Sequence, residues 1–250
     1  MTTKAMEEVV IRAGRPAPAP AVAVPEHITQ EAQQLCSSYE AKLRAYSDRY
    51  VAEAMKRARR KDAAKLEAEP VVPVAPPYPW WNLVLIGPVE LGLGTFQPNR
   101  IIRTTSFTLF GAAIWLNPAP IAWIGGNPSA ATVMSAFNFQ VQLETINLTT
   151  VADGPDLTAP PLGPGLPPLV VVPLIAPPGL FPAPASGKPH LYEGNLTADV
   201  TGPVPGLPFA GYSTWVLDLD TAPPFPPFGL PPVPAGFQSD IPARFMVYTA

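Results

Sequence analysis

The sequence predicts a mainly β fold, an antiparallel β-sandwich of Ig-like or jelly-roll type with long Pro-rich loops, preceded by one long N-terminal α-helix. Three observations predict it. Segments beyond residue 80 alternate apolar and polar residues with a period of two. Residues 26–69 contain neither Pro nor Gly. The 37 prolines cluster in uncharged, apolar stretches that no helix accommodates.

Composition narrows the function classes. Of 250 residues, 47% are hydrophobic and only 14% charged, which excludes the disordered class that depends on charge and low hydrophobicity. Two His and one Cys cannot supply a Cys/His zinc site or an intrachain disulfide, and a net charge of -3 gives no general attraction to nucleic acid. Charge is also uneven. Residues 1–70 hold 12 of the 16 basic residues but only 10 of the 19 acidic ones, so a slightly positive polar part precedes an acidic apolar one.

Residues 1–25 read as an extended Pro/Ala-rich arm, because prolines alternate with Ala and Val from Arg15 to Pro25. Glu7, Glu8, Arg12 and Arg15 interrupt every apolar window there, so no Sec-type signal is visible and the compartment is left open. Residues 26–69 read as a long amphipathic helix rich in Ala, Glu, Lys, Arg, Gln and Leu. Its apolar positions Ile28, Ala32, Leu35, Tyr39, Leu43, Tyr46, Tyr50 and Ala54 follow an eleven-residue repeat, which keeps one narrow seam on a nearly straight helix. That seam needs a partner, either another helix or the chain's own domain. The basic run Lys56, Arg57, Arg59, Arg60, Lys61 and Lys65 suits a solvated helix C-terminus and the helix dipole.

Residues 70–80 read as a stiff Pro-rich spacer, and residues 81–250 as the sandwich. Tyr78, Trp80 and Trp81 are expected to anchor the spacer on that sandwich, with sugar stacking as their alternative use. Phe137, Phe139, Val141 and Leu143 alternate with Asn138, Gln140, Gln142 and Glu144, the clearest strand in the chain. The alternation slips at Thr145, and a bulge near Glu144 to Ile146 is expected to turn Ile146 and Leu148 back to the core. Tyr192, Leu196, Ala198 and Val200 form a second such strand, and Trp215, Leu217 and Leu219 a third. Leu83 to Ile86, Ile101 to Leu116 and Arg244 to Thr249 complete the set. The run Phe107 to Gly126 is long enough for a membrane helix, but Asn117, Pro118 and Pro120 would break its hydrogen bonds at the bilayer centre, so no membrane span is expected.

The segments at about 155–189 and 203–234 read as long Pro-rich loops. Their apolar side chains are costly to leave in water, at about 25 cal/mol per Å². Leu169, Leu174, Leu180, Phe181, Phe225 and Phe228 are therefore expected, with Ile28, Leu35, Tyr39, Leu43, Tyr46 and Tyr50 of the helix, to make contacts between copies. Proline's preset geometry lowers the ordering entropy of such docking.

No catalytic or cofactor motif emerges. Gly92, Gly94 and their neighbours lack the third Gly and the helix of a dinucleotide loop. Cys36 and His27 are nine residues apart on the helix, too far for a thiolate pair. Asp218, Asp220, Glu193 and Asp199 could meet at a strand end to hold calcium, but solvated edge charges are the simpler account. The sequons at Asn147 and Asn195 lie in strands and read as ordinary polar positions. The expectation is a non-enzymatic structural protein without cofactor or metal, self-associating into a filament, shell or surface layer. A carbohydrate- or ligand-binding module, calcium-assisted, is the alternative.

Overall fold

The computed structural model describes residues 23–65, 80–92, 100–121, 128–182, 187–202, 210–212, 216–217, 237–238 and 242–249. It is mainly β, with one long N-terminal helix and two sheets whose strands pair mostly antiparallel.

Helix α1 (Glu26–Lys65) begins directly after Pro25, whose carbonyl accepts the Thr29 backbone N–H at 3.1 Å. The first sheet contains β1 (Trp81–Glu90), β3 (Thr108–Leu116), β7 (Leu169–Ala176), β10 (Val216–Leu217) and β11 (Phe237–Gln238), in the order β11, β10, β1, β3, β7. The second has β2 (Ile101–Arg103), β12 (Ala243–Tyr248), β8 (His190–Thr201), β4 (Asn138–Asn147) and β5 (Ala152–Asp153) in that order. There β6 (Leu157–Thr158) adds to β4, and β9 (Ala210–Tyr212) to β8. Two pairings, β1 with β10 and β12 with β2, are parallel. The short helix α2 (Ala130–Met134) is N-capped by Ser129, whose hydroxyl accepts the Thr132 N–H at 3.1 Å.

One core lies between the sheets. Leu83 and Leu85 of β1, Phe110, Ala112 and Ile114 of β3 and Leu174 of β7 meet Phe139, Val141, Tyr192, Leu196 and Phe245 from the second sheet. Four aromatic rings knit one end: Phe181 lies 5.1 Å from Tyr192, 5.3 Å from Phe245 and 6.3 Å from Phe110, centroid to centroid.

A second core lies on the other face of the first sheet. There Ile28, Ala32, Cys36, Tyr39 and Leu43 of α1 cover Val84, Ile86, Leu109, Ala113, Trp115, Leu169 and Val171. The eleven-residue seam therefore finds its partner within the chain as far as Leu43, with Leu35 partly buried beside it. Two polar ties fix the helix there. Trp115 Nε1 donates to Ser47 Oγ at 2.8 Å, and the Gly92 N–H donates to Glu31 Oε2 at 2.8 Å. The side chains of Tyr46 and Tyr50 lie outside the described residues.

Cover on both faces explains why β3 carries no polar side chain after Thr108: it is a central strand between two hydrophobic layers, buried at every residue. Gly111 belongs to this packing, since a Cβ there would come within 3.1 Å of Ile86 Cβ. Among the described residues, no helix is long and apolar enough to cross a membrane.

The first Pro-rich segment differs from the loop expected for it. Residues 157–162 run along the edge of β4, where Leu162 and Phe139 exchange backbone hydrogen bonds at 2.9 and 3.0 Å. The chain then crosses to the first sheet and becomes β7, paired with β3 from Thr108↔Ala176 to Trp115↔Leu169. Pro173 is tolerated because an edge strand pairs through only one side of its backbone.

Candidate interaction surface

The same geometry places the expected contact residues of this segment in the chain's own packing. Leu169 is buried under α1, while Leu174 and Phe181 are buried in the inter-sheet core, so the described chain itself satisfies their need for cover. Leu180 is partly buried against the same core. Ile28, Tyr39 and Leu43 are likewise buried within the chain. Phe225, Phe228 and Tyr78 lie outside the described residues, as do Asp218 and Asp220. Trp80 and Trp81 are partly buried against the inter-sheet core, Trp81 meeting Phe139 edge-on at 5.7 Å. Cys36 is buried, and desolvation, with a smaller contribution from the Glu40 carboxylate, pushes its thiol up to about 11.

The surface that sequence reading missed begins with the absent bulge. Pairing of β4 with β8 runs in unbroken register from Asn138↔Thr201 to Asn147↔Tyr192. The alternation therefore continues through the slip, and it carries Thr145 and Asn147 inward and Ile146 and Leu148 outward.

This inversion persists because both buried polar side chains are satisfied. The Thr145 hydroxyl donates to the Pro155 carbonyl at 2.7 Å, and its backbone N–H donates to Asp156 Oδ1 at 3.2 Å. Gly154 is required beside it, since a Cβ at that position would overlap the Thr145 hydroxyl. Asn147 Oδ1 accepts the Thr149 and Thr150 N–H groups at 3.0 and 3.2 Å, while Nδ2 donates to the Tyr192 hydroxyl at 3.1 Å and lies 3.1 Å from His190 Nδ1. Burial pushes the Tyr192 phenol up, with the Asn147 hydrogen bond opposing. An unpaired buried amide would cost about 1–3 kcal/mol, so this network decides which residues face in.

Topology gathers the displaced apolar residues. Met246 of β12 lies opposite Ile101 of β2 and opposite Leu191 of β8, and the Leu148 N–H donates to the Leu191 carbonyl at 2.8 Å. Cross-strand neighbours share a face, so Ile101, Met246 and Leu191, with Leu148 on the turn just beyond β4, form one apolar row across the sheet. The next row along the same face holds Arg244, Glu193 and Ile146, with Arg244 Nε 3.4 Å from Glu193 Oε2. Val151, on the turn that leaves β4, is 88% exposed and has a left-handed φ of 54°, an unfavourable conformation for a β-branched residue.

Six of the seven exposed large hydrophobic residues among those described belong to this face or its rim; the seventh is Met55 on α1. Exposed apolar residues are ordinary one by one; here they are contiguous on one face. No group of His, Cys, Asp or Glu able to hold a metal ion occurs among the described residues. No protein-family model matches the chain, and no curated protein matches it.

Proposed function

We propose that this chain is a non-enzymatic structural protein, a self-associating subunit of a filament, shell or surface layer, built on a β-sandwich of Ig-like or jelly-roll type. The observation that carries the reading is the concentration of exposed apolar side chains on the outer face of the second sheet. A strand that buries two polar residues and presents two apolar ones at its end is costly for an isolated chain and useful for one whose face is covered by a neighbour. The sandwich reading is supported by a core shared between the sheets, and the structural role by a helix and an edge strand used as packing elements.

Self-association no longer draws support from the described part of the first Pro-rich segment, whose apolar side chains are covered within the chain. It draws support from the apolar row. Size-exclusion chromatography with light scattering on the full chain tests it. A mass that climbs above the 26.6 kDa of one chain as concentration rises from micromolar towards millimolar is expected; a mass that stays there throughout rejects the reading.

A further inference from the structure

We propose that two copies of the chain pair through the outer faces of their second sheets, about a two-fold axis running parallel to the strands between β12 and β8. This rests on the self-association reading above and names its surface and partner.

The sheet order supplies the geometry. Across the apolar row the strands run β2, β12, β8, β4, so a two-fold axis between the middle pair exchanges β12 with β8 and β2 with β4. Met246 then faces the partner's Leu191, and Ile101 faces the partner's Leu148. In the adjacent row Arg244 faces the partner's Glu193. Each contact occurs twice, with the roles exchanged, as a self-complementary interface requires.

Charge selects this axis over the other two-fold arrangement of the same face. An axis laid along the apolar row would set Arg244 over the partner's Tyr248 and leave Glu193 only the Arg244 of its own sheet. The axis parallel to the strands gives both charges an opposite partner in addition to the pairing they make within one sheet.

The contact is small. With strands about 4.8 Å apart and rows about 7 Å apart, two rows over four strands of this curled sheet cover at most about 250 Å² per copy. A standard interface covers about 800 Å² per partner, so pairing is weak and concentration-dependent, as suits one of several contacts in a repeating assembly.

Sedimentation equilibrium on the full chain, up to about millimolar concentration, tests the pairing through complementary charge reversals. Arg244→Glu and Glu193→Arg are each expected to weaken self-association by at least about tenfold, because each creates like-charge contacts across the axis. A one-to-one mixture of the two variants restores both opposite-charge contacts and is expected to associate within a few-fold of the wild type. Thermal unfolding of each variant checks the fold, and Leu191→Gln with Met246→Gln supplies an uncharged variant that is also expected to weaken association.

Wild-type association unaffected by any of these changes would overturn the proposed surface while leaving self-association standing. Weakening by the single variants without recovery in the mixture would overturn the two-fold arrangement. A wild-type chain that stays monomeric throughout the range would overturn the pairing together with the reading on which it rests.

Discussion

Truncating Phe181 to alanine separates an internal role for the Pro-rich segment from an external one. The ring is 4% exposed and sits among Phe110, Tyr192 and Phe245. These come from both sheets, so the cavity left by Phe181→Ala cannot close by moving one strand. Deletion of a buried aromatic ring costs about 3–5 kcal/mol, a large share of the roughly 5–15 kcal/mol that holds a domain together. At about 2–4 °C per kcal/mol for a chain of this size, the melting temperature should fall by about 6–20 °C. Calorimetry on dilute protein, where self-association contributes little, measures this. A variant that melts within about 2 °C of the wild type but associates more weakly would place Phe181 in a contact between copies and refute its assignment to the core.

Other expectations follow from the helix and from the inverted end of β4. Leu43→Ala should loosen α1 from the first sheet by about 2–5 kcal/mol and expose Cys36, so thiol labelling at neutral pH should accelerate markedly in the variant while the wild type stays nearly inert. The folded chain holds the Cys36 thiol protonated up to about pH 11. The stability linked to that thiol is complete below its unfolded pKa of about 8.5–9 and is lost as pH rises through about 11, because the unfolded chain releases its proton first. Denaturant midpoints should therefore fall across that alkaline window, and Cys36→Ala should flatten the fall. Asn147→Ala removes the acceptor for two turn N–H groups and a partner of the Tyr192 hydroxyl, and chemical denaturation should register a loss of about 1–3 kcal/mol.

The sequence revealed the elements whose signal is local. A stretch free of Pro and Gly specifies α1, and strict alternation specifies β8 and the first half of β4. The partner of the helix seam was not legible, because a row of apolar positions shows that a face is covered without showing by what. β7 was hidden by its prolines. Its alternation was also obscured, since Leu169 and Val171 face the helix while Val172 and Leu174 face the inter-sheet core.

At Thr145 the sequence pattern points the wrong way for a different reason. The preference for apolar side chains inside was set against a polar network that only the fold assembles, with partners at Pro155, Asp156, Tyr192 and the turn after β4. The apolar row was invisible for the same reason, since residues 101, 148, 191 and 246 become neighbours only through cross-strand pairing.

Methionine oxidation reads the outer face of the second sheet directly. Met246 on that face and Met55 on α1 are 37% and 39% exposed in the single chain, so in dilute protein peroxide should convert them to sulfoxide at similar rates. On concentration, mass spectrometry should show Met246 oxidation slowing several-fold relative to Met55, as a second copy covers the row. A ratio of the two rates that stays constant from dilute to concentrated protein would contradict a role for this face in holding copies together.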